Sequence, residues 1–197
     1  MSLSNSGESS TWVIADRLPQ NPWWRLISII GGAALVSIGA QVTTPSGGDV
    51  PGTLQTFAVL LVGAILGPWM GTASVLLYVL LGAAGAPIFA NGTSGFGGPT
   101  SGYFIGFVLA ALVVGFVSQR SCGLIPSRAL PRLLFGMLGG LVAIYVAGLA
   151  WLILHVGLSF GGAFDAGFSP FIVGDLLEAA LATAAVSIAA ASLRPTR

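Results

Sequence analysis

The chain has no lysine, one cysteine and one histidine, and from Val50 to Gln119 it carries no charged side chain at all. Each of these shortages excludes something. Cys122 has no second thiol for an intrachain disulfide or a metal pair, so it reads as a small buried apolar residue. His155 lacks a companion imidazole, and no Ser-His-Asp spacing is legible around it; it reads as an interfacial side chain near the end of an apolar run. With a net charge of +1 and no clustered basic face, nucleic acid is not an expected partner. The glycine-rich stretch after Asn91 is not followed by the Lys-Ser/Thr of a phosphate loop, so any use of ATP belongs to another protein. No bound cofactor and no metal are expected. Charged residues make up only 7% of the chain against 55% hydrophobic ones, with a mean hydropathy of +0.94. Soluble domains carry roughly 25% charged residues, so this is the composition of an integral membrane protein.

What is present is a series of apolar runs. A crossing helix needs about 20 residues, and six runs qualify or nearly so: 23–41, 53–66, 71–86, 103–118, 133–156 and 171–193. The expected fold is therefore an all-α bundle of six transmembrane helices. The second run is short and stops at Gly67-Pro68, so a five-span version in which it only dips into the membrane stays open. Residues 1–22 form a polar, Ser-rich tail without the basic start of a cleavable signal peptide; 23–194 make one transmembrane domain, and 195–197 a short C-terminal tail. Trp12, Trp23 and Trp24 suit the lipid headgroup level.

Charge fixes an orientation. With six spans, all seven arginines (17, 25, 120, 128, 132, 194 and 197) fall on one side, while the opposite loops hold Asp49 and Asp165. Basic excess marks the cytoplasmic face. Both termini are then cytoplasmic, the protein lies in the cytoplasmic (inner) membrane, and the glycine stretch faces outward.

Small residues recur every four positions: Ser28/Gly32, Ala33/Ser37, Gly136/Gly140, Ala143/Ala147 and Ala179/Thr183/Ser187/Ala191. Such stripes let helices approach closely in lipid. They serve either packing inside the bundle or docking onto a partner membrane subunit.

Three groups of residues carry possible chemistry. The stretch Asn91-Gly-Thr-Ser-Gly-Phe-Gly-Gly-Pro-Thr-Ser-Gly-Tyr103 cannot continue a helix. It is either a surface loop or a re-entrant cap over a site, since irregular backbone at membrane depth needs protein or a cavity to satisfy it. Asp175 and Glu178, three apart in a helical segment, share one face. Acids inside a span mark a site by default, although acids in an exposed first turn also complement the helix dipole. Gln41, Thr53, Gln55 and Thr56 cluster near the first outward loop, and Thr100, Ser101 and Tyr103 belong to the glycine stretch. With Phe89, Phe96, Phe104, Phe160, Phe164 and Phe168 nearby, the outer end suits a small organic ligand. A membrane enzyme using Asp175 and Glu178 as an acid–base pair, and a non-transporting interaction protein, are the readings from other classes. Against the first, no nucleophile or metal cluster is visible.

The ordered motifs Val50-Pro-Gly-Thr-Leu-Gln-Thr-Phe, Gly63-Ala-Ile-Leu-Gly67, Gly82-Ala-Ala-Gly-Ala-Pro-Ile-Phe89, Gly98-Pro-Thr-Ser-Gly-Tyr103 and Pro170-Phe-Ile-Val-Gly-Asp175 resemble the BioY family. Members of that family are the biotin-specific S components of energy-coupling factor (ECF) transporters. The resemblance covers roughly residues 24–193. It implies a six-helix S-component fold that captures biotin from outside and performs no catalysis. It also implies partners: a transmembrane coupling protein and ATP-binding subunits, which consume the ATP, with membrane lipid around them. Asn91, Tyr103 and Asp175 match the family's ligand-holding positions, with Gln55, Thr53, Thr100 and Glu178 behind them. The chain departs from the family pattern at Glu178, where a lysine is usual. That departure leaves another small vitamin-like or biotin-related ligand as the alternative substrate.

Overall fold

The computed structural model describes residues 14–17, 19, 21–44, 52–121 and 126–192. Among these it is helical, with α1 (Pro22–Gln41), α2 (Gln55–Ala83), α3 (Ser101–Gln119), α4 (Pro126–Leu154), α5 (Phe160–Gly167) and α6 (Ile172–Ser192). A two-residue ribbon pairs β1 (Thr43–Thr44) antiparallel with β2 (Gly52–Thr53), joining α1 to α2. The loop 45–51, Cys122 and Trp12 lie outside the described residues. Ile14–Arg17 forms a 3-10 turn whose Ala15 is buried and whose Ile14 packs on the core. Part of the expected polar tail thus lies against the bundle.

Five of the six helices are long and apolar enough to cross a membrane; α5 is not. The expected second and third spans fall within the single element α2, so the described residues hold five separate crossing helices where six were expected. The reason is local. Gly67 has φ 80° and ψ −177°, and Pro68 follows it. Glycine alone reaches that backbone without strain, and proline removes a helical N–H at the same point. The chain turns back on itself there. Gln55 Nε2 donates to the Tyr78 hydroxyl at 2.7 Å, although 23 positions separate them; on a straight helix they would be about 34 Å apart. A methyl group added at Gly71 would lie 2.9 Å from the Gly63 Cα. So α2 is a helical hairpin with arms 55–66 and 68–83.

The hairpin sits at the centre. Its first arm packs on α3 and α6, and α1 runs along its side. Val59, Leu60, Val75, Val114, Met137 and Ile144 fill the core with almost no exposure. Backbones meet where glycine permits: Gly63 faces the Ala111 carbonyl, Gly106 faces Ile144, and Gly115 faces the Gly67–Pro68 turn. Gly136 lies against Val117 and Gly140 against Leu60 and Val114, so this small-residue stripe serves packing inside the bundle. Leu26, Ile30, Phe135, Val146, Leu181 and Ile188 point outward and stay exposed, as lipid-facing residues do.

The elements have two distinct ends. At one, Gln41 of α1 meets Ile88 and Phe89, Trp151 of α4 meets Gly98, and Tyr103 of α3 meets Gly167. At the other, Ser118 of α3 donates to Ala64 beside the hairpin turn, and Arg132 reaches the Arg120 carbonyl.

Candidate functional site

The first of these ends gathers the polar residues of the chain. α2 begins after Leu54, an apolar residue that offers no side-chain cap. A helix start leaves N–H groups in need of acceptors. Thr53 Oγ1 accepts from Gln55 N at 3.3 Å and donates to Gln55 Oε1 at 3.1 Å. Phe57 N is satisfied from across the bundle, donating to Glu178 Oε2 of α6 at 2.7 Å.

α6 starts at Ile172, so Asp175 does lie in its first turn. The turn is not exposed, however: Asp175 is 9% and Glu178 7% accessible. The Tyr145 hydroxyl of α4 donates to Asp175 Oδ2, and the Thr56 side chain bonds to the same carboxyl group. Two hydroxyl groups thus bind α2, α4 and α6 together through one carboxyl. Tyr103, within electrostatic reach of Asp175, commits its hydroxyl to the Gly167 carbonyl at 2.7 Å. The Tyr78 hydroxyl accepts from Gln55 Nε2. All three tyrosines of the chain are therefore buried around this end. An apolar wall adjoins them: Phe89 stacks on Phe104 at 4.1 Å, Tyr78 meets Phe89 edge-on at 5.3 Å, and Phe168 meets Tyr145 at 4.7 Å.

The glycine stretch caps the same end. Residues 91–99 are exposed, which makes the stretch a loop at the end of the bundle and not backbone sunk among the helices. It is nonetheless tethered. Phe89 N donates to Thr93 O, Gly95 N to Gly82 O at 2.9 Å, and Gly97 N to Ser101 Oγ at 2.8 Å. Gln41 Nε2 holds the Ile88 and Phe89 carbonyls at 3.2 and 3.0 Å. Trp151 donates to Gly98 O, packs on Phe96, and carries the exposed His155 stacked at 3.9 Å. Asn91 adopts a left-handed turn with φ 57°.

Of the residues expected at the site, Gln55, Tyr103, Asp175 and Glu178 are brought together in the buried end, with Thr53 at its edge. Asn91 and Thr100 are placed elsewhere, in the exposed loop and at the half-buried start of α3. Sequence reasoning placed neither Tyr145 nor Tyr78 at the site. The available signal was chemical: a tyrosine inside an apolar helix needs a partner for its hydroxyl. Among the described residues no arginine lies in the segments that build this end, and the two buried carboxyl groups take their hydrogen bonds from uncharged donors. What the site presents is a set of hydrogen-bond acceptors and hydroxyls beside an aromatic wall. Such a surface suits a compact, largely apolar ligand that offers N–H groups.

Comparison with known proteins gives the arrangement its relatives. The model of the BioY family matches residues 15–195. A probable biotin transporter BioY of Pyrococcus horikoshii is 43% identical over 152 residues, covering 76% of this chain and 85% of that protein. The biotin transporter BioY of Rhodobacter capsulatus is 37% identical over 185 residues, covering 87% and 96%. Among solved structures, the S component for biotin from an ECF-type ABC transporter superposes with a TM-score of 0.75 at 25% identity, over 83% of this chain and 89% of that one.

Proposed function

The chain belongs to the BioY family, and on that premise we propose that it captures biotin as the S component of an ECF-type ABC transporter. It is a multi-pass membrane transport protein and not an enzyme. The observation that carries the ligand assignment is the buried Asp175, held by Tyr145 and Thr56 at the capped end of the bundle. Biotin's ureido ring offers two N–H donors and one carbonyl, and an acidic acceptor beside hydroxyl groups complements that pattern. Its thiophane ring and aliphatic tail suit the wall of Phe89, Phe104 and Phe168.

The hairpin supports a topology. Because α2 returns the chain to the end it left, α1, α3, α4 and α6 alternate direction, and both termini lie on one side whether the hairpin arms cross fully or only dip. Counting the two arms gives six crossings. Arg25, Arg120 and Arg132 mark the end opposite the capped site, which makes that end cytoplasmic and the site outward-facing in the cytoplasmic membrane. ATP is then consumed by partner subunits, reached through a transmembrane coupling protein. Equilibrium binding of labelled biotin to the purified protein in lipid nanodiscs tests the reading. Saturable one-to-one binding is expected; no binding at micromolar ligand by folded protein refutes it.

A further inference from the structure

The joint between Glu178 and the start of α2 says something about how the ligand's charge is treated. The first turn of a helix is where an anionic group is stabilised by N–H donors and the helix dipole. In α2 three of those N–H groups are already taken from within the protein. Gln55 N is taken by Thr53, Ala58 N by the Leu54 carbonyl, and Phe57 N by the Glu178 carboxyl, delivered from α6. One turn away on the same face, Asp175 is occupied by Tyr145 and Thr56. A ligand carboxylate placed here would be a third acid beside two buried ones, with no arginine in the segments that form the site. Like charges so placed disfavour ionisation of one another.

Resting on the biotin reading above, we propose that Glu178 is a specificity-determining residue. Its carboxyl fills the seat at the α2 N-terminus, so biotin's own carboxylate is turned away from α6 and the vitamin is held without recognition of its charge. The protein therefore takes tail amides of biotin as readily as the free acid.

The test compares biotin with biotinamide on the purified wild-type protein and on Glu178→Gln, which keeps an acceptor for Phe57 N but removes the charge. Wild type is expected to bind the two ligands within about threefold of each other. In Glu178→Gln the biotin-to-biotinamide ratio is expected to move toward biotin by about threefold or more, whatever the absolute affinities. A wild-type preference for biotin above about tenfold overturns the proposal while leaving biotin capture intact, as does a ratio that the variant leaves unmoved. Failure of folded wild type to bind either ligand overturns both. The wild-type ratio decides the matter even if the variant does not fold.

Discussion

The two ends of the α2 hairpin are held by opposite means. At the closed end, backbone lies directly on backbone: the Gly67–Pro68 turn on Gly115, and Gly71 on Gly63. At the open end, side chains do the joining: Gln55 with Tyr78, Glu178 with Phe57, and Tyr145 and Thr56 with Asp175. The first kind of contact has no room for an added atom. The second kind has groups that can exchange partners with a ligand but suffer when a partner is deleted. Close backbone packing is gathered at one end and the polar groups of the candidate site at the other.

The contrast is most sharply tested at the closed end. A Gly115→Val side chain would intrude on the Gly67–Pro68 backbone, where neither partner has a flexible tip to move. Overpacking of this kind is expected to cost about 3 kcal/mol, read as a lowered thermal unfolding temperature in detergent. An unmoved unfolding temperature would break the comparison. At the open end, Asp175→Ala should weaken biotin binding by about 2 kcal/mol, since it removes an ionisable acceptor and strands two hydroxyl groups. Undiminished affinity would take Asp175 out of the site. Tyr145→Phe, which deletes only a hydroxyl that orients Asp175, should weaken binding by about 1 kcal/mol, measured by the same titration. Smallest is Asn91→Ala, in the exposed loop. Its biotin affinity should fall by about 0.5 kcal/mol, and its stability by about 1 kcal/mol because alanine tolerates the left-handed turn less well than asparagine; a much larger loss of stability would mean the loop is a structural strut.

How much of this was legible beforehand follows the same division. Apolar length and Gly/Pro punctuation placed α1, α3, α6 and the end of α4 within two residues, and Gly67-Pro68 marked the break in α2, but α4 begins seven residues before the expected 133. Periodicity did not show that the two arms fold onto each other, because that depends on Gly63 and Gly71 meeting in space. The helix α5 was missed altogether. Its eight residues include three glycines, which argue against a helix by propensity. It forms because the Ser159 hydroxyl caps Gly162 N at 3.1 Å and because Tyr103 fastens Gly167 at the other end. In the site, the spacing of Asp175 and Glu178 was visible in sequence, but their partners were not. Tyr145 lies 30 positions from Asp175 and Phe57 lies 121 from Glu178, separations that only the tertiary fold brings together. The burial of the two acids likewise decided between a solvated first turn and a joint among helices.

Gln41 has a mechanical meaning beyond its place in the list of contacts. It stands at the last position of α1, and its one amide nitrogen grips two successive carbonyls, Ile88 and Phe89, at the root of the glycine loop. α1 lies along the flank of the hairpin and is the most lipid-exposed of the long helices. A tilt of that helix cannot leave the loop behind unless both bonds break. The end of α1 and the root of the loop are therefore tied together at the mouth of the candidate site.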